Sequence, residues 1–169
     1  MVRHYKYWKM KKSASFSPDM EHRNYLSRIW DATYPTAMCI GLNPSTANGE
    51  DDDSTIRILI KVLTRLGYGG FYMLNLFSVV SSKPEILSAH PNPVGNADEY
   101  LQLMSRSVET VIFCWGDFKQ AYWRAKVVIP MFPDAKCFGY ARSGAPLHPM
   151  GLMWSGQMKT AELIDFKKQ

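Results

Sequence analysis

Apolar positions along this chain follow two alternating periods. AMCIGL (37–42), FYMLNLF (71–77), TVIFCW (110–115) and KCFGY (136–140) are apolar at nearly every position and read as strands buried on both faces. Between them the spacing is helical. In STIRILIKVLTRLG, Ile56, Leu59, Ile60, Leu63 and Leu66 share one face, with Ser54 placed to cap the helix and Gly67 to end it. NADEYLQLMSRSV (96–108) puts Ala97, Leu101, Met104 and Val108 on one side. DFKQAYWRAKVVI (117–129) reads as a further helix, and the chain from about Ser155 as a closing one. This alternation predicts an α/β fold in three layers, α/β/α, around a central, mostly parallel, four-stranded sheet.

Ligands of such folds gather beyond the carboxyl ends of the strands. The residues there are Gly41-Leu42-Asn43-Pro44-Ser45 after the first strand, Asn75 near the end of the second and Trp115-Gly116 at the end of the third. ARSGAPLHPMGLM follows the fourth. Taken singly, each has an ordinary explanation: Gly, Asn and Pro make turns, a strand Asn can bond to backbone, and His-Pro is a common loop dipeptide. The loop-rich stretch 81–95, with Pro84, Pro91 and Pro93, is expected to overhang this edge.

Composition narrows the class. A chain of 169 residues, 46% hydrophobic and 21% charged, suits one soluble globular domain spanning 1–169. No apolar run is long enough for a membrane span, and MVRHYKYWKMKK lacks the apolar core of a signal peptide, so a cytoplasmic location without membrane contact is expected. Three cysteines, an odd number, argue against a disulfide framework; Cys39, Cys114 and Cys137 read as packing thiols. Without CxxC or HxxxH spacing, no metal or other cofactor is expected. The net charge of +5 is concentrated early: residues 1–17 form a basic, aromatic extension in which Arg3, Lys6, Lys9, Lys11 and Lys12 interleave with Tyr5, Tyr7 and Trp8. That mixture suits nucleic-acid phosphates and bases, and equally a solvated basic tail.

The strand-end motifs, in their order, resemble those of the uracil-DNA glycosylase superfamily. The first motif there is GQDPY, or GINPG in the mismatch-specific branch; this chain has GLNPS (41–45). LLLN is matched by Tyr72-Met73-Leu74-Asn75, LWG by Cys114-Trp115-Gly116, and HPSPLS by His148-Pro149-Met150-Gly151-Leu152-Met153. The resemblance covers about 37–153. A closer one, carried by FSPDMEHRNYLSRIWD, LNPSTA, DDDSTIR, NLFS and GAPLHP, is to a bacterial and phage family of small proteins with no assigned activity.

The superfamily resemblance implies a monomeric enzyme that hydrolyses the N-glycosidic bond of a base flipped out of double-stranded DNA. Asn43 and the backbone around Pro44 would position the water, and His148 would donate to the base carbonyl as negative charge builds. Gly41, Leu42, Ser45 and Asn75 would line the base pocket, with Asn75 reading the pyrimidine edge and Phe71, Tyr72 or Phe77 stacking on it. Leu152 would wedge the duplex, with Pro149, Lys9, Lys11 and Lys12 on the DNA. No lysine stands in a motif, so an intact strand with an abasic site is the expected product. Two departures matter. Asn43 replaces an Asp and cannot be a general base, which leaves room for a carboxylate from Asp51, Asp52 or Asp53; those three equally suit a solvated helix approach. Ser45 replaces a Tyr that blocks C5 substituents, implying a C5-substituted pyrimidine. Hydroxymethylcytosine of phage DNA and its glucosylated forms are candidates, with Asp52 and Asp53 near enough to bind sugar hydroxyls, and an anti-phage role follows. The competing readings are a DNA-binding module of the same fold without catalysis and a hydrolase of free nucleotides or nucleosides.

Overall fold

The computed structural model describes residues 10–167. Seven strands, β1 (Lys11–Phe16), β2 (Arg23–Ile29), β3 (Thr36–Gly41), β4 (Gly70–Asn75), β5 (Thr110–Phe113), β6 (Lys136–Cys137) and β7 (Ile164–Asp165), make one mixed sheet in the order β1-β2-β4-β3-β5-β6-β7. The apolar runs supply β3 to β6, whose neighbours pair in parallel. β1, β2 and β7 pair antiparallel and extend the sheet at both edges. The sheet is thus wider and more mixed than the four mostly parallel strands expected.

Helices α1 (Ser54–Arg65), α2 (Ile86–Ala89), α3 (Ala97–Ser105), α4 (Ala121–Val128) and α5 (Pro149–Trp154) complete the chain. Two cores follow from the alternation of side chains along the strands. Ala37, Cys39, Phe71, Met73 and Ile112 point to the face covered by α1 and α5. Met38, Ile40, Leu74 and Phe113 point to the other, against Leu101 of α3 and Ala121 and Val128 of α4. All three thiols are buried, Cys39 and Cys114 in the layer under α1, and burial raises the pKa of Cys39 and of Cys137. Among the described residues no helix is long and apolar enough to cross a membrane.

Three expectations are corrected. Residues 11–16 of the supposed extension form edge strand β1, paired along its length with β2. The closing helix from Ser155 is absent; a single 3-10 turn (Gln157–Lys159) and the short β7 stand there. Asp53, not Ser54, caps α1, its Oδ1 accepting from the Ile56 N–H at 2.9 Å.

β2 is what fixes the loop before α1. Arg28 is fully buried in a strand, which is tolerable only because its guanidinium is saturated. Nε donates to Asp52 Oδ1 at 2.7 Å, Nη1 to Ser27 O, and Nη2 to the carbonyls of Asn48 and Asp51. The loop around 48–52 is thereby tied to the sheet and delivers Asp53 to the start of α1.

Candidate functional site

The parallel register places Gly41 directly beside Asn75, at the carboxyl ends of β3 and β4. Beyond them the two chains stay joined, Leu76 N–H donating to Gly41 O at 2.8 Å and Phe77 N–H to Leu42 O at 3.0 Å. A cavity of about 210 Å³ opens at this edge. Its walls bring together Gly41, Leu42, Asn43 and Ser45 from the first motif, Asn75 from the second and His148 from the last. Asp53 and Arg23 also line it, as do Phe118 and, from the loop expected to overhang, Ser81, Ser82 and Pro84.

Asn75 is only 5% exposed, and among the described residues neither its Oδ1 nor its Nδ2 has a hydrogen-bond partner. An amide buried in that state costs about 1–3 kcal/mol per unmet group, and native structures keep few of them. Gly41 holds it in place by having no side chain: a Cβ there would lie 2.8 Å from Asn75 Oδ1 and 2.6 Å from Met73 Cε.

Asn43 has a structural job beside the one its motif suggests. Its Nδ2 donates to Ser81 O at 2.8 Å and Pro44 O at 3.0 Å, with Val79 O at 3.4 Å. Three surrounding carbonyls identify that atom as nitrogen. The amide nitrogen stitches the first motif to the 79–81 segment, so Asn43 can orient water through Oδ1 and cannot take its proton.

His148 precedes α5 in extended conformation (φ −71°, ψ 144°), and its Nδ1 accepts from the Met150 N–H at 3.0 Å. That bond puts the neutral ring's proton on Nε2, making it a donor. Burial pushes the imidazole below its ordinary 6.5, the Asp53 charge opposing the shift, so the ring is neutral at neutral pH. Gly116, at φ +80°, lets the ring approach: a Cβ there would sit 3.0 Å from His148 Cβ and 3.2 Å from Phe118 Cε2. Arg23 is 3% exposed, donates through Nη1 to Ala47 O at 2.9 Å and leaves Nε unpartnered. Burial pushes it down to about 10, against the pull of Asp53, and it stays cationic at neutral pH.

Several expected residues lie elsewhere. Pro44 is buried behind the cavity, its carbonyl accepting from Ser81 N–H. Asp52 is taken by Arg28 and by Lys12, whose Nζ lies 3.2 Å away, and it does not line the cavity. Leu152 is 1% exposed and Pro149 is buried; α5 turns both inward against α1, so Leu152 cannot enter a duplex from there. Met153 and Trp154 are the exposed apolar residues of that helix. Phe71 and Phe77 are in the cores and Tyr72 packs on Tyr25; the cavity's ring is Phe118. Lys11 is exposed on β1, and Lys9 falls outside the described residues. Arg23 and Phe118 were missed because each lies far from the motifs in sequence and carries no signature of its own.

Fold and site together define an α/β protein with a small polar cavity at the carboxyl edge of its parallel strands. Residues 23–150 match the family described as "Protein of unknown function (DUF1643)", and the chain belongs to that family. No curated protein and no solved structure matched it. Asn43, Asn75, Asp53 and His148 all fall within the matched span.

Proposed function

We propose that this chain is a monofunctional DNA glycosylase of the uracil-DNA glycosylase type, hydrolysing the N-glycosidic bond of a flipped, C5-substituted pyrimidine. The observation that carries this reading is Asn75, an amide buried at a strand end with donor and acceptor both unmet. The pyrimidine edge offers the complementary pair. A neutral His148 with its proton on Nε2 suits a leaving base on which negative charge develops, since such a donor stabilises the departing anion without protonating it first. Phe118 is the ring available for stacking, and Ser45 leaves the C5 side open. At about 210 Å³ the cavity is below the ~300–1,000 Å³ of sites that enclose drug-sized ligands, which fits a single base rather than a whole nucleotide. The chain would act as a cytoplasmic monomer on modified, double-stranded phage DNA, leaving abasic sites.

Two observations support a second reading, hydrolysis of free nucleosides. Leu152 is buried, and Lys12 is engaged with Asp52 and the Glu50 carbonyl. In the DNA reading the exposed Met153 and Trp154 take the duplex-facing part in place of Leu152. The deciding experiment is mass spectrometry of bases released from unmodified, uracil-containing and phage-modified DNAs and from the matching nucleosides. Release from a modified DNA supports the glycosylase; release from nucleosides alone replaces it with the second reading.

A further inference from the structure

Position 43 is Asn where the GQDPY motif has Asp, so it supplies no carboxylate to activate water, and three consecutive aspartates follow within ten residues. Their fates differ. Asp51 is exposed, and its Oδ2 accepts from Asn48 Nδ2 at 3.1 Å. Asp52 is held by Arg28 at 2.7 Å and Lys12 at 3.2 Å. Asp53 alone lines the cavity, where it is the one carboxylate among the lining residues. Its Oδ1 accepts a single N–H, from Ile56, which leaves the second oxygen's lone pairs available to the cavity.

A helix-capping aspartate is ordinarily structural. Independent observations mark this one as facing a ligand site. Asn75, with both amide atoms unmet, and Arg23, with Nε unmet, are each more than nine-tenths buried in the same walls. The Asp53 charge acts on Arg23 and on His148, raising the affinity of both for a proton, so it stands between the two functional sides of the cavity.

We infer that Asp53 is the catalytic carboxylate of this site, accepting a proton from the attacking water that Asn43 Oδ1 orients. The inference rests on the reading of the cavity as an N-glycosidic hydrolase and holds for DNA or nucleoside substrates. As the water oxygen bonds to C1′ of the sugar, the C1′–N bond breaks and its electron pair leaves with the base. One water proton passes to the Asp53 carboxylate, and the base anion is held by the His148 Nε2–H. Asp53 then returns the proton, through solvent, to the departed base, which restores both partners.

The cap offers a clean test, because Asn caps helices as well as Asp, and Gly costs only a few tenths of a kcal/mol. Single-turnover base release is measured for the wild type, Asp53→Asn and Asp53→Gly on the substrate found by the release panel, with thermal unfolding of each. Expected is a fall of about 100-fold or more in both variants, the range of a lost general base, with folding retained. Formate added to Asp53→Gly should restore part of the rate, which a purely structural role would not allow. Release by Asp53→Asn within about threefold of wild type overturns the assignment while leaving the hydrolase reading intact. A wild type that releases no base from any DNA or nucleoside removes both.

Discussion

Of two polar hollows among the described residues, the cavity at the strand ends and one three times its volume, the larger is the poorer candidate for function. The second, about 630 Å³, lies where the β1–β2 turn meets the 90–100 segment and contains Glu21, His22 and His90, whose ligand atoms all lie within 4.8 Å of one another. Size and metal-like clustering both favour it over the 210 Å³ cavity. Hydrogen bonding decides otherwise. Ser78 Oγ spends its proton on Val94 O, so it accepts from His22 Nδ1 at 2.8 Å. His90 Nδ1 accepts from Asn92 N–H at 3.0 Å, which places its proton on Nε2, donated to Glu21 Oε1 at 2.8 Å. His90 thus has no lone pair to offer a metal and Glu21 Oε1 is already engaged, while His22, its proton on Nδ1, keeps only Nε2. In this hollow Glu21, His90, His22 Nδ1 and Ser78 hold one another and clasp the overhanging loop to the β1–β2 turn. In the smaller cavity Asn75 and Arg23 are held in place with bonds unmade. Unmet bonding capacity, not volume, separates a binding site from a joint.

The contrast breaks most sharply at Asn75. Asn75→Ala removes a group that contributes nothing to the free protein, so base release should fall by about 100-fold or more, the scale of losing a specific hydrogen-bonding contact, while the melting temperature stays level or rises. A large drop in melting temperature would mean that Asn75 is structural after all. Gly41→Ala comes next. Its Cβ meets Asn75 Oδ1 and Met73 Cε, two side-chain ends that can yield, so the fold should survive a cost of about 1–3 kcal/mol and release should fall roughly tenfold. Denaturant unfolding alongside release rates checks both numbers.

On the other side of the comparison, His90→Ala should cost about 1.5–3 kcal/mol, the worth of a hydrogen bond to a charged group, and leave release within about threefold. Zinc added to the wild type should not raise its melting temperature; a rise of several degrees would convert this hollow into a metal centre. The smallest effect concerns His148. Its folded value lies below 6.5, so the neutral form's contribution to stability is complete above about pH 6.5 and is lost as pH falls towards the folded value. Stability should therefore decline more gently between pH 7 and pH 5 in His148→Gln than in wild type, as thermal unfolding across that range would show.

Legibility in the sequence tracked chemistry that is local. Strands β3 to β5 and helix α1 announce themselves because their apolar residues are consecutive or regularly spaced. Asn43, Asn75 and His148 could be grouped because parallel strands deliver their carboxyl ends to one edge. β2 was invisible for a physical reason: two of its inward positions are Arg23 and Arg28, whose burial depends on carbonyls and aspartates some 20 residues on. Spacing alone placed Leu152 beside His148 without the phase of α5, which turns it into the core. Three adjacent aspartates are equivalent in sequence, and only the anchoring of Asp52 by Arg28 leaves Asp53 for the cavity.

The stitching by Asn43 decides which residues the position tolerates. Its nitrogen faces the carbonyls of Pro44, Val79 and Ser81, and a carboxylate in that position would have no proton to offer any of them. An aspartate substituted there would therefore set negative oxygen against carbonyl oxygen and loosen the loop that covers the cavity. The amide is a fastener at position 43, and a carboxylate facing this cavity has to be supplied by another part of the chain, as Asp53 is.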